Sequence, residues 1–145
     1  MPESKIQNFN HLKIHSQFSI CEGAVKIDDL RDYLKENNAK SIALSDTSNL
    51  CGALEFAEKI SKIGTQPIIG TQINFRYGET TGLLPLYALN EGGYKRVIEL
   101  SSLSYLKNDE LSEPHLDLRE LFKKNNGLCL FSGTINGLFG QLFDK

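Results

Sequence analysis

A chain of 145 residues, 40% hydrophobic and 23% charged, has the balance of an ordinary globular domain with enough apolar side chains for one core. Its formal net charge is −2, and its 16 lysines and arginines are scattered, never more than two in a row, as at Lys95-Arg96 and Lys123-Lys124. That pattern is not the electrostatic footprint of an independent nucleic-acid binder, and no targeting or membrane segment is visible, since the longest greasy run, Leu83 to Leu89, falls far short of the roughly 20 residues of a span.

In chain order, the run from Leu12 to His15 reads as a strand. Ile27, Leu30 and Leu34 then recur at three- and four-residue steps, with Asp28 and Asp29 in the first turn, where the helix dipole favours anions. Ser41 to Ser45 is a second strand, and Ala53, Phe56, Ala57 and Ile60 form the stripe of a second helix, with Gly64 as its left-handed cap. Pro67 to Phe75 is a third strand, and Leu83 to Leu89 a fourth after a loop containing Gly78 and Gly82. A helix follows with Tyr94, Val97, Ile98, Ser101 and Tyr105 on one side. A further helix over 116–125 buries Leu118, Leu121 and Phe122 and stops at Gly127. Leu128 to Phe131 makes a fifth strand, and a new apolar run, Leu138, Leu142 and Phe143, begins after it.

Strands alternating with helices predict an α/β fold with a largely parallel sheet and right-handed crossovers. A closed eight-stranded barrel takes about 250 residues, so the sequence reads as an incomplete one. Chemistry in such a sheet gathers at the carboxyl ends of the strands. These offer His11, His15 and Glu22, then Asp46 and Thr47, then Gln72, then Ser132. Of these, only His15, Glu22 and Asp46 are ordinary ligands at matching positions, a bare minimum for a catalytic metal.

Several segments carry a family resemblance: Phe9-Asn10-His11-Leu12-Lys13-Ile14-His15-Ser16, Glu22-Gly23, Asn49-Leu50-Cys51-Gly52, Gln66-Pro67-Ile68-Ile69-Gly70, Asn90-Glu91-Gly92-Gly93-Tyr94, and Gly127-Leu128 with Ser132-Gly133. In this order and spacing the chain, over residues 1–145, resembles the N-terminal portion of a PHP (polymerase and histidinol phosphatase) domain, and within that family it is most similar to the alpha subunits of bacterial DNA polymerase III. The resemblance implies a distorted, TIM-like barrel, of which these residues are the first part. It also implies a role in DNA replication in the cytoplasm, within a DNA-directed nucleotidyltransferase whose polymerase domains, with their Mg²⁺-binding carboxylates, lie outside this segment.

Placed on the family's metal motifs, the first histidine of His-x-His falls on Lys13 and the second on His15. The carboxylate before glycine falls on Glu22, the Asp-His step on Asp46 and Thr47, and the glutamate of the third strand on Gln72. A later family histidine is Leu83 here. Lysine, threonine and glutamine thus replace three ligands, and Lys13 would repel a metal while offering its charge to Glu22 or Asp46. The six positions Lys13, His15, Glu22, Asp46, Thr47 and Gln72 read as a vestigial metal site with no catalytic residue and no cofactor of its own. On this reading His15 is a hydrogen-bonded structural histidine, Asp46 caps the following Asp-Thr-Ser-Asn turn, and His11 and His115 are not ligands.

The resemblance therefore implies an inactive scaffold that packs on the remaining polymerase domains and offers a surface to the proofreading exonuclease subunit, with no membrane contact. The alternative is an active phosphoesterase or 3′ to 5′ exonuclease in which His15, Glu22 and Asp46 hold Zn²⁺ or Mn²⁺ with ligands from elsewhere. A third reading is a generic α/β domain binding a small molecule at its strand ends. A phosphate loop, a nucleophile elbow and a paired-cysteine site are all missing: no Gly-Lys-Ser/Thr or Gly-x-Ser-x-Gly occurs, and Cys21, Cys51 and Cys129 are far apart.

Overall fold

The computed structural model describes residues 9–109, 111–135 and 137–144. Its elements run α1 (Ile27–Glu36), β1 (Ser41–Thr47), α2 (Ala53–Ser61), β2 (Gln66–Tyr77), β3 (Thr80–Ala88), α3 (Glu91–Leu106), β4 (Leu116–Asp117), α4 (Arg119–Lys123), β5 (Leu128–Leu130) and α5 (Leu138–Phe143). The sheet order is β1-β2-β3-β5, with β4 pairing the far end of β2. No helix among the described residues is long and apolar enough to cross a membrane.

β1 and β2 are parallel neighbours joined by α2, as the alternation of strand and helix predicts. β3 departs from that scheme. Only Gly78 and Glu79 separate it from β2, and a turn that short can return the chain only antiparallel, which it does from Tyr77↔Thr80 to Gly70↔Tyr87. The expected loop over 78–82 is thus a tight hairpin, both strands are longer than the sequence suggested, and β5 also pairs antiparallel, with β3. The α/β sheet is open and mixed in direction. The run from Leu12 to His15 is not a strand of the ladder. It lies along the outer edge of β1, held by Ala43 N–H to His11 O and Ser45 N–H to Ile14 O, both 2.9 Å.

Strand parity sorts the side chains into two faces. Ile42 and Leu44 of β1, Ile69, Ile73 and Phe75 of β2, and Leu84 and Leu86 of β3 share the face that the helices cover. There Ile27, Leu30, Leu34, Phe56 and Ile60 pack over β1, while Leu100, Leu116, Leu118, Leu121 and Leu138 pack over the hairpin. β2 reaches both clusters, through Ile69 in one and Ile73 and Phe75 in the other. Burying such side chains contributes about 1.5–3 kcal/mol each, so this face supplies most of the cohesion. The opposite face carries Ser45, Thr47, Gly70, Gln72, Pro85, Tyr87 and Cys129.

The helix stripes largely follow the periodicity, with two corrections. α3 buries Arg96, Val97, Leu100, Ser101 and Ser104, while Ile98 and Tyr105 lie on its exposed side. Its inward face is rotated by Arg96, which is drawn in because its guanidinium donates to the carbonyls of Glu120 and Lys124 and pairs with Glu99. The stretch 116–125 is not one helix: Leu116 and Asp117 extend β2's edge as β4, leaving only the short α4. Leu118 and Leu121 are buried as expected, but Phe122 is 66% exposed. Chain contact at the base of α3 explains the Asn-Glu-Gly-Gly motif. Asn90 caps the helix by accepting from Gly93 N–H at 2.9 Å, and a Cβ on Gly93 would sit 1.8 Å from Gly127 O.

Gly93→Ala should therefore destabilise the chain by about 1–3 kcal/mol, as overpacking against backbone does. Gly92→Ala, whose Cβ would meet only the Asn90 side chain at 3.3 Å, should be near neutral. Thermal denaturation of the two variants checks this, and equal melting temperatures would refute it. β5 is the last strand of the described sheet and leaves one edge unpaired, an edge that templates pairing with another chain. Sedimentation velocity should show the average mass rising with concentration, and a monomer at every concentration would count against it.

Candidate functional site

The carboxyl ends of β1 and β2 bring five of the six sequence-derived positions together, and Asp46 is the organising one. Asp46 is buried at 1% exposure, and a buried carboxylate is tolerable only when its lone pairs are taken. Its Oδ1 accepts from Ser16 N–H at 2.6 Å and Ser19 Oγ–H at 2.8 Å, and its Oδ2 accepts from Ser16 Oγ–H at 2.7 Å. Asp46 does not cap its own turn, as the sequence suggested. It clamps the 16–19 loop from about thirty residues away. The local turn is held instead by Asn49, whose Nδ2 donates to Thr47 O and Phe18 O and whose Oδ1 accepts from Cys51 N–H. Gly52 completes this motif, because a Cβ there would meet the Phe18 ring at 2.8 Å and Asp46 Oδ2 at 3.3 Å.

Around this clamp runs a chain of polar contacts. Thr47 Oγ1–H donates to Glu22 Oε2, and Gln72 Nε2 donates to Thr47 Oγ1 at 2.7 Å across the parallel pair Thr47↔Gln72. His15 Nδ1 lies 3.9 Å from Glu22 Oε2 and 3.5 Å from Ser19 Oγ, and Ser19 Oγ also accepts from Thr47 N–H at 3.0 Å. Since the Thr47 hydroxyl has a single proton and gives it to Glu22, the Gln72 amide must turn its nitrogen toward Thr47. Its Oε1 is then buried without a partner.

Lys13 does not join this chain. No ion pair links it to Glu22 or Asp46 among the described residues, contrary to the charge-replacement role expected for it, and the residue lines a cleft with Pro85 and Phe131. Ser132 lines the same cleft. His11 stands apart, its ring edge-on to Phe9 with centroids 4.8 Å apart. His115 bonds its own loop at Glu113 O, and the three cysteines are free thiols. The sequence reading missed Ser16 and Ser19, the donors that satisfy Asp46. Their only signal is a Ser-x-x-Ser spacing just beyond His15.

The donor set does not fit a divalent ion. The Asp46 oxygens are committed to three donors, Glu22 accepts from Thr47, and Gln72 turns an N–H inward where a ligand oxygen would be needed. Among the described residues no group of three or more His, Cys, Asp or Glu side chains converges. What the arrangement does chemically is fix the 15–22 loop onto the end of β1.

The sequence pattern of the PHP domain family matches residues 11–145. The DNA polymerase III subunit alpha of Caulobacter vibrioides is 36% identical over 152 residues, covering 99% of this chain and 13% of that protein. The subunit from Borreliella burgdorferi is 37% identical over 145 residues, covering 92% of this chain and 13% of that protein. The chain thus spans 13% of the length of each of these relatives. Among solved structures, an amidohydrolase from Chromobacterium violaceum aligns with TM-score 0.51 at 18% identity, over 67% of this chain and 34% of that one, a likeness of fold. The family pattern spans the clamp at Asp46, the polar chain to Gln72 and the hairpin beneath them, and the chain belongs to the PHP domain family, with DNA polymerase III alpha subunits as its homologues along nearly its whole length.

Proposed function

We propose that this chain is the PHP-type segment of a bacterial replicative DNA polymerase and serves there as a catalytically inactive scaffold. The observation that carries the reading is the state of Asp46, three of whose four lone-pair positions are taken by Ser16 and Ser19. A carboxylate that accepts three hydrogen bonds to hold its own loop keeps one lone-pair position, and ligating a metal through more than that one would cost bonds that hold the loop. Thr47 and Gln72 support the same reading, since a hydroxyl and an amide N–H complete a hydrogen-bonded chain where metal ligation would need an imidazole and a carboxylate.

The role is then mechanical. The helix-covered face gives a rigid platform, and the clamped strand ends keep the loops in one arrangement. On this reading the partners are the remaining polymerase domains and the proofreading exonuclease subunit, polymerisation with its Mg²⁺ belongs to domains outside this segment, and the setting is the cytoplasm.

Two measurements test it. Elemental analysis of the purified chain for zinc, manganese and iron, with an aryl phosphate assay beside it, should find neither stoichiometric metal nor turnover. Metal near one per chain with activity that follows it would establish the phosphoesterase or 3′ to 5′ exonuclease alternative instead. Asp46→Asn keeps the shape but replaces an acceptor with an N–H that faces donors, and should cost about 2–4 kcal/mol of stability, the scale of a lost charge-assisted bond plus an unsatisfied buried group. Urea denaturation reads this directly, and a near-neutral variant would mean that Asp46 is not the clamp.

A further inference from the structure

At the end of β3 opposite its hairpin, Ala88 pairs with Leu128 and the chain turns into α3. There a pocket of about 420 Å³ opens between the first half of α3 and the segment that follows α4. Four cations line it, Lys95 and Arg96 from α3 and Lys123 and Lys124 from the other side, together with Gly92, Asn125 and Asn126. Glu99 is the one carboxylate in the lining, in a chain whose net charge is −2. The pocket is separate from the Asp46 cluster, which gathers where Thr47 pairs with Gln72.

Arg96 makes this a built arrangement, because it is buried and its donors are already placed. Its Nη1 pairs with Glu99 at 2.9 Å, its Nε donates to Lys124 O at 2.9 Å and its Nη2 donates to Glu120 O at 2.6 Å. Arg96 thus occupies the one lining carboxylate and ties the lysine-bearing segment to α3, which sets the spacing of the remaining cations in advance of any ligand. Lys95 reaches Glu91 and Lys123 reaches Glu120, ion pairs of exposed lysines that cost little to exchange. The side chains of Lys124, Asn125 and Asn126 make no hydrogen bond or ion pair among the described residues.

The amides of Asn125 and Asn126 select among anionic partners. Phosphodiester groups carry acceptors only and would leave the amide oxygens to water, whereas a peptide brings carboxylates for the lysines and backbone N–H groups for the amides. An extended nucleic acid would also run past the pocket onto the net negative remainder of the chain, which a short segment does not. We propose that this pocket docks an acidic peptide segment of a partner protein, its Asp or Glu side chains on Lys95, Lys123 and Lys124 and its backbone on Asn125 and Asn126. The docking is independent of the metal-free reading of the Asp46 cluster.

The test is fluorescence anisotropy of the full chain with a labelled glutamate-rich peptide, beside the same peptide with glutamine at every glutamate and an oligothymidylate of equal charge. The glutamate peptide should bind saturably, weaken as salt rises and bind more tightly than either control. Lys95→Gln combined with Lys124→Gln should weaken it by about tenfold or more, the loss of two charge-assisted contacts. Both lysines are exposed, so an unchanged melting temperature verifies that the double variant still folds. Lys35→Gln combined with Lys62→Gln removes the same charge from the ends of α1 and α2 and should bind the peptide as the parent chain does. Equal losses in the two double variants would mean general charge attraction and overturn the proposal, as would absence of saturable binding by the glutamate peptide. Tighter binding of the oligothymidylate would overturn it in favour of a nucleic-acid surface.

Discussion

A single buried negative charge sets the arrangement of the strand ends. Leaving the Asp46 carboxylate bare in the interior would cost several kcal/mol, so the chain must deliver donors to it, and those nearest are Ser16 N–H, Ser16 Oγ–H and Ser19 Oγ–H. Satisfying the charge therefore fixes the 16–19 loop. That loop carries His15 at one end and leads to Glu22 at the other, and its own turn is closed by Ser19 N–H to Ser16 O and Gly23 N–H to Ser19 O. The positions of His15 and Glu22 are thus consequences of how Asp46 is hydrogen-bonded.

The second layer follows from proton counting. Glu22, as a carboxylate, can only accept, so Thr47 must donate to it, and Gln72 must then donate to Thr47. Each group's role is dictated by the one before it, which makes the chain directional and leaves its mismatch at the far end, on Gln72 Oε1. Substituting Thr47 alone would strand the Gln72 amide, and substituting Gln72 alone would leave Thr47 an unused acceptor. The two positions act as a pair even though each is a short polar residue of no obvious distinction in the sequence.

How far the sequence reveals this differs from element to element. α1, β1, α2 and β5 are legible because their apolar spacing is local, as with Ile27, Leu30 and Leu34. The hairpin is not, because Gly78 and Gly82 look alike as loop glycines, whereas only Gly78 sits in the turn and Gly82 lies inside β3 against Leu138. Phe122 misleads for a different reason. Its helix-like spacing from Leu118 is real, but α4 is too short to carry that face into the core, so the ring is left outside. For the site, the positions were legible by family pattern. The role of Asp46 was not, since its partners lie about thirty residues upstream and a run such as Asp-Thr-Ser-Asn satisfies every local rule for a turn.

Strand parity explains how a site of this kind can change without harm to the fold. On β1 and β2, Leu44, Ile69 and Ile73 face the helices, whereas Thr47 and Gln72 have the opposite parity. A substitution at 47 or 72 therefore removes no contact from either hydrophobic cluster, and its energetic consequences are confined to hydrogen bonds within the polar chain. Asp46 is the exception, because it shares the parity of Leu44 and is buried with it. A buried carboxylate in that position must be satisfied, and Ser16 and Ser19 supply three donors to it. Exchange of side chains at the opposite-parity positions is thus tolerated by the core, while the Asp46 charge keeps the loop in place.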